Sequence, residues 1–219
     1  MLQTDLVHFL LWCLAAFLAG SIPFGLLLVQ LAGKGDVRKY GSGNIGATNV
    51  MRAGGKALGI TTLLLDVTKG FVPVFLAKYL GLPPHLLAFV ALAAVLGHMF
   101  TPWLRFKGGK GVATALGVAL AYHPLMVVPS LAAFMGLVAV TRYVSLGSVV
   151  AGLVLIPSAA GVFGPRFCLP TPETFESWPL VAWTILAFLV IQRHSANIKR
   201  LLAGTESKLG GGKKVAKDA

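Results

Sequence analysis

The sequence predicts an all-α integral membrane protein with seven transmembrane helices, one about half-length, its N-terminus outside and its C-terminus cytoplasmic. Three observations carry this reading. Mean hydropathy is +0.80 with only 12% charged residues, where soluble domains carry roughly 25%. Apolar runs of spanning length recur along the chain. The basic residues crowd the segments that would lie on one side.

The first apolar run, residues 6–32, has no basic residue before Lys34 and exceeds the ~7–15 residues of a signal-peptide core, so it reads as a true span. Residues 57–80, 84–104, 144–163 and 178–191 read as further spans. Residues 111–140 are too long for one span, and Pro124 in "AYHP" breaks them, because the residue before a proline avoids the helical region. The break leaves a short helix over residues 112–121, which at 1.5 Å per residue is ~15 Å long, about half a bilayer core. Two spans here also place the basic residues consistently. Lys34, Arg38, Lys39, Arg52 and Lys56 fall in the first inner segment, Arg105, Lys107 and Lys110 in the second, then Arg142 and the run from Arg193 onward. Only Arg166 is left in an outer loop, while Lys69 and Lys78 lie within the second span. Residues 1–209 read as one polytopic domain and 210–219 as a flexible basic tail.

A net charge of +12 points to an anionic lipid surface, anionic substrates or both. Nucleic acid is disfavoured, because the basic residues flank apolar spans and form no soluble basic face. Cys13 and Cys168 have no pairing or metal-ligand spacing. Metal-dependent phosphoryl chemistry needs clustered carboxylates, and of the acids only Asp66 falls within a span. "KGGKG" lacks the P-loop spacing, and no GxSxG motif occurs. No metal, no cofactor and no obligate protein partner are expected.

Three polar stretches converge on the inner face: "GSGNIGATNVMR" at 41–52, "RFKGGKGVAT" at 105–114 and "QRHSANIKR" at 192–200. They offer Arg52, Lys107, Lys110, Arg193, Lys199 and Arg200, the hydroxyls of Ser42, Thr48 and Thr114, and no carboxylate. Such a site suits phosphate. Candidate phosphate-binding residues are Gly41, Gly43, Asn44, Gly46, Thr48, Asn49, Gly108, Gly109, Gly111 and Thr114, the glycines letting backbone amides approach an oxyanion. The half-helix opens immediately after "KGGKG", so its free N-terminal amides face the same place. Arg52 and Lys110 are candidate catalytic cations and His194, with Asn197, is the best-placed histidine, while Ser42 has no base–acid relay in sequence. If the last helix continues, His194, Asn197 and Arg200 fall broadly on one side of it. Asp66 and Lys69, spaced i,i+3, can meet on one helical face, as a packing pair or as a substrate contact. A transporter of phosphate esters or a lipid-binding protein would share several of these features. The first would normally show an internal repeat, which is not found; the second does not account for three polar loops focused on one anion site.

These stretches, with "GSIPFG" at 20–25, "DVTKG" at 66–70, "GHMFTPWLRFKGGKGVAT" at 97–114 and "RHSANIKRLLAGTESK" at 193–208, resemble the signatures of the bacterial acyl-phosphate:glycerol-3-phosphate acyltransferases, the PlsY family. The resemblance runs from Gly20 to about Lys208. It implies a seven-span enzyme of the bacterial inner membrane with its active site on the cytoplasmic side. Its substrates would be glycerol 3-phosphate and acyl phosphate among membrane lipids, and its products lysophosphatidic acid and inorganic phosphate. It also implies that Ser42, Arg52, His194 and Asn197 are needed for activity, that the loop from Gly108 to Gly111 binds glycerol 3-phosphate, and that Glu206 is structural.

Overall fold

The structure is a computed structural model that describes residues 3–160 and 178–210. Among the described residues every regular element is helical: α1 (Gln3–Ser21), α2 (Phe24–Leu31), α3 (Ala47–Gly54), α4 (Lys56–Tyr79), α5 (Pro84–Met99), α6 (Val112–Tyr122), α7 (Pro124–Thr141), α8 (Val144–Ala159), α9 (Trp178–Gln192) and α10 (Ser195–Leu202). Single 3₁₀ turns cover Val37–Lys39 and Pro102–Leu104. Four stretches are long and apolar enough to cross a membrane: Leu6–Leu31, Lys56–Tyr79, Pro84–Leu104 and Pro124–Thr141. A fifth is the bent pair formed by α9 and α10. Arg166, which the sequence reading placed in an outer loop, Cys168, the far end of the span expected to reach 163, and tail residues 211–219 lie outside the described residues.

The first span, Leu6–Leu31, is made of two helices broken at Pro23. Pro23 has no N–H to donate and clashes with the preceding turn, so α1 stops at Ser21 and α2 restarts at Phe24. The carbonyls released at the break are satisfied from other helices. The Thr101 hydroxyl donates to the Ser21 carbonyl at 2.6 Å and the Lys69 ammonium to the Ile22 carbonyl at 2.7 Å. The Trp103 indole donates to the Ser21 hydroxyl at 2.9 Å. Lys69 also pairs with Asp66 at 2.7 Å, both side chains being buried. The i,i+3 pair thus exists, and its visible work is to hold the kink.

Glycines set the closest helix contacts. A β-carbon on Gly20 would collide with the Ala94 carbonyl and one on Gly97 with that of Phe17, so α1 and α5 pack backbone to backbone. The α4–α6 crossing uses Gly70 and Gly117 in the same way, against Thr114 and Val67. The main core gathers Val74, Val90, Val95, Met99, Val118, Trp183 and Leu186 from α4, α5, α6 and α9. A smaller core of Leu26, Val29, Val37, Ile45 and Val50 packs α2 beneath the first polar loop and α3. Gly25 lies against the Ile45 carbonyl, so the broken half of the first span is what seats that loop.

The short helix is found as expected, over Val112–Tyr122, with α7 starting at Pro124. Its last carbonyls have no helical partner, and in an apolar bundle that would be costly. Lys78, from the end of α4, donates to the Tyr122 carbonyl at 2.8 Å and approaches that of Ala121 at 3.4 Å. An ammonium at a helix C-terminus also complements the dipole. Lys78→Met should therefore destabilise the protein by about 1 kcal/mol, seen as a lower thermal midpoint in detergent, with Lys78→Arg recovering most of it.

Candidate active site

The first polar loop is built on Asn49, which is buried. Its side-chain amide donates to the carbonyls of Val37 at 3.0 Å and Asn44 at 2.8 Å, while its oxygen accepts from the Ser42 amide at 3.0 Å. Asn44 turns the chain by accepting from the Gly46 amide at 2.8 Å. Gly41 and Gly43 have φ of 51° and 69°, the left-handed region. A β-carbon on Gly41 would press on Asn49 and on the Arg52 side chain, so Arg52 runs along the loop beside Ser42. Arg52 and Ser42 are exposed. Asn44 and Asn49, read in the sequence as phosphate ligands, use their side chains to shape the loop.

The glycine loop of residues 108–111 is pinned to the end of α5. The Gly108 amide donates to the Met99 carbonyl at 3.0 Å and the Gly109 amide to the His98 carbonyl at 3.1 Å. A β-carbon on Gly109 would strike the His98 ring. These two amides are already engaged, and both glycines pack closely against the end of α5. The amides without a helical partner lie one step on, at residues 110–114, ahead of the first helical bond from the Ala115 amide to the Gly111 carbonyl at 2.7 Å. Gly111, with φ 81°, makes the turn into α6. Thr114 is fully buried against Gly70, in the packing between α4 and α6.

The C-terminal stretch does not continue as one helix. Its axis bends by 53° between α9 and α10, with His194 at the corner. His194 is buried, and its Nδ1 lies 2.7 Å from the Val190 carbonyl. A carbonyl only accepts, so Nδ1 carries the proton and Nε2 the lone pair. Burial pushes the His194 pKa down to about 4, and the charge of Lys110 lowers it too, against the opposing effects of the Val190 bond and Glu206.

Lys110 joins the second stretch to the third. Its ammonium donates to the Asn197 side-chain oxygen at 2.6 Å, and the Asn197 amide donates to Glu206 Oε1 at 2.7 Å. Glu206 also accepts from Ser145 at 2.8 Å and from Arg200 Nε at 2.7 Å. Burial works against the Glu206 charge, yet hydrogen bonds from Asn197, Arg200 and Ser145 hold its pKa below the ordinary value. Lys110 is pushed down to about 8, first by burial; Glu206 opposes the shift, and Arg200 and Arg52 add to it. The second and third polar stretches thus meet directly through Lys110 and Asn197, and the charge of Arg52 in the first acts on Lys110.

Arg193 and the Asp66–Lys69 pair are engaged elsewhere. Arg193 donates to the Met99 carbonyl at 2.7 Å and stacks over Phe100 at 4.4 Å, closing the end of α5. Asp66 and Lys69 serve the break at Ile22. Ser145 was missed in the sequence; a serine opening an apolar helix looks ordinary until Glu206 arrives beside it. Thr48, Met51 and Arg52 face Leu209 and Gly210 across a cleft of about 190 Å³. No group of three or more His, Cys, Asp or Glu placed to hold a metal occurs among the described residues.

The bundle and its cationic site define a helical membrane protein built around anion binding. The sequence signature of glycerol-3-phosphate acyltransferases matches residues 10–204, and the chain belongs to that family. Among its relatives are the glycerol-3-phosphate acyltransferases of Trichlorobacter lovleyi, 51% identical over 91% of this chain and 96% of the relative, and of Geobacter sulfurreducens, 49% identical over 88% and 93%. The fold is similar to a crystal structure of PlsY (YgiH), an integral membrane glycerol 3-phosphate acyltransferase, in its glycerol 3-phosphate form: TM-score 0.82, 40% identity, covering 93% of this chain and 96% of that one. The lysophosphatidic acid form of that protein matches with a TM-score of 0.79.

The Lys110 cation is present below its pKa and lost above it. If it serves the reaction, kcat/KM measured against pH should fall as pH rises through about 8. Neutral His194 should contribute no acid limb between pH 5.5 and 7, and a histidine-dependent limb in that window would count against the burial argument.

Proposed function

We propose that this chain transfers a fatty acyl group from acyl phosphate to the sn-1 hydroxyl of glycerol 3-phosphate, releasing lysophosphatidic acid and inorganic phosphate, the first step of bacterial phospholipid synthesis. The observation that carries this reading is the hydrogen-bonded chain Lys110–Asn197–Glu206–Arg200 at the start of α6, with Arg52 close enough for its charge to act on Lys110. Both substrates are phosphate esters or anhydrides, and a cationic cradle is suited to them. Family membership supplies the acceptor and the reaction class. The donor rests on its chemistry: an acyl phosphate is already activated, so a site without a nucleophile–base pair suffices.

In this mechanism the glycerol hydroxyl attacks the acyl carbonyl directly. The new ester C–O bond forms, the bond from carbonyl carbon to phosphate oxygen breaks, and the electron pair leaves on phosphate. Lys110 and Arg52 stabilise the developing negative charge, with Ser42 and the amides of residues 110–114 as hydrogen-bond donors. The hydroxyl proton passes to the leaving phosphate. His194 is a poor base, because burial holds its pKa near 4. Asn197 and Glu206 hold Lys110 in place.

The membrane placement follows from the same segments. We assign seven spans with α6 as the half-length one, the N-terminus outside and the C-terminus cytoplasmic. The cationic site then lies on the inner face of the cytoplasmic membrane, beside lipid that receives the product. Reporter fusions at the two ends should appear on opposite sides.

The test uses purified protein with glycerol 3-phosphate and palmitoyl phosphate, following phosphate release and lipid product. Turnover is expected, with kcat/KM reduced by ~10²-fold or more in Arg52→Ala and in Lys110→Ala. Binding of glycerol 3-phosphate without chemistry, together with its accumulation in vesicles, would favour a transporter instead.

A further inference from the structure

The segment after Glu206 is not free. The Leu209 amide donates to the Arg142 carbonyl at 2.7 Å, and the Arg142 guanidinium donates back to the Leu209 carbonyl at 2.9 Å. A β-carbon on Gly210 would lie 3.1 Å from the same guanidinium, so the chain runs flush against it. One residue along, the Lys208 ammonium sits 5.5 Å over the Tyr143 ring, and three residues along Glu206 accepts from Ser145. The turn between α7 and α8 thus grips residues 206–210 as a strap.

Both faces of this strap bear on the site. At one end Glu206 orients Asn197 and Arg200, and through Asn197 the Lys110 ammonium. At the other, Leu209 and Gly210 form the wall of the cleft opposite Thr48, Met51 and Arg52. The backbone at Arg142 supports a role beyond turn-making. Its φ is 63°, a region where glycine is the comfortable residue, yet an arginine stands there and its side chain is engaged.

We propose that Arg142 is a positioning residue for the acyl transfer: by clamping Leu209 it fixes the strap, which sets both the cleft wall facing Arg52 and the Glu206–Asn197 support of Lys110. Arg142 touches neither substrate; it acts through the strap. This rests on the active-site reading given above. The groups facing Lys110 are Arg52 from α3, His194 at the α9–α10 corner, Arg200 from α10 and Glu206 from the strap. Of these only Glu206 favours the charged form of Lys110. A loosened strap weakens that support, so the Lys110 pKa falls and the alkaline limb of activity moves to lower pH.

Arg142→Gly tests this cleanly, because glycine accepts the left-handed backbone and only the guanidinium is lost. The expected result is a thermal midpoint within a few degrees of wild type, kcat/KM for glycerol 3-phosphate down ~10-fold, and an alkaline limb displaced by roughly half a pH unit or more to lower pH, with Arg142→Lys intermediate. Leu209→Pro, which removes the amide donated to Arg142 and leaves every charge in place, should reproduce the loss. Hydrogen exchange at the Leu209 amide, protected in wild type, should quicken in Arg142→Gly. Activity of Arg142→Gly and Leu209→Pro within twofold of wild type overturns the proposal. So does lost activity with an unmoved limb, which is a merely structural effect. Absence of turnover in wild type would refute the acyltransferase reading, and the exchange measurement would still decide whether Arg142 holds the strap.

Discussion

A helix that ends inside an apolar bundle must have its loose backbone groups satisfied, and much of this structure follows from meeting that demand at α6. Its C-terminal carbonyls are met by Lys78, which reaches across from α4. Its N-terminal amides have no helical partner, and beside them stands Lys110, on which the charges of Arg52 and Arg200 act. One end of the helix is closed by a cation of the protein; the other is suited to an anion that the protein does not supply. The glycines at 70 and 117 serve this arrangement by letting α6 lie directly on α4, so that the helix is held along its length although it is only eleven residues long.

The same problem recurs where α1 breaks at Pro23, and it is solved with different side chains. Lys69, Thr101 and Trp103 serve the residues at that break, at Ser21 and Ile22. An intramembrane charge is a candidate for function by default, and Lys69 beside Asp66 fits that description from sequence. The structure shows its ammonium working on backbone. The break in turn frees α2 to pack beneath the first polar loop, with Gly25 against Ile45, which is how an exposed loop of small residues keeps one shape.

Electrostatically the site is, among the described residues, a balance of Arg52, Lys110 and Arg200 against Glu206. Burial and mutual repulsion press Lys110 towards its neutral form, and Glu206 resists. Glu206 can remain charged because Asn197, Arg200 and Ser145 all donate to it. Asn197 is the hinge of this balance. Its oxygen must face Lys110, which has only protons to offer, and its amide must face Glu206, which has only lone pairs. The chemistry of the two neighbours fixes its orientation, and an aspartate or a leucine there would satisfy neither both partners nor the geometry.

By itself the sequence determined the class and the cast. Apolar runs have no soluble alternative at this length, and Pro124 has to end a helix. Cations without nearby acids announce an anion, so Arg52, Lys110, His194 and Asn197 could be named from residue type and spacing. Glycines were less legible. Gly108 and Gly109 look like amides waiting for phosphate, but whether a glycine offers its amide or merely its lack of a side chain depends on what packs against it, here the end of α5. The same limit hid the kink at Pro23, the bend at His194 and the clamp at Arg142, since each depends on a partner distant along the chain. Local chemistry fixes what a residue can do. Only the tertiary structure decides which carbonyl, amide or charge stands within reach, because a hydrogen bond acts over about 3 Å and chain order says nothing about that distance.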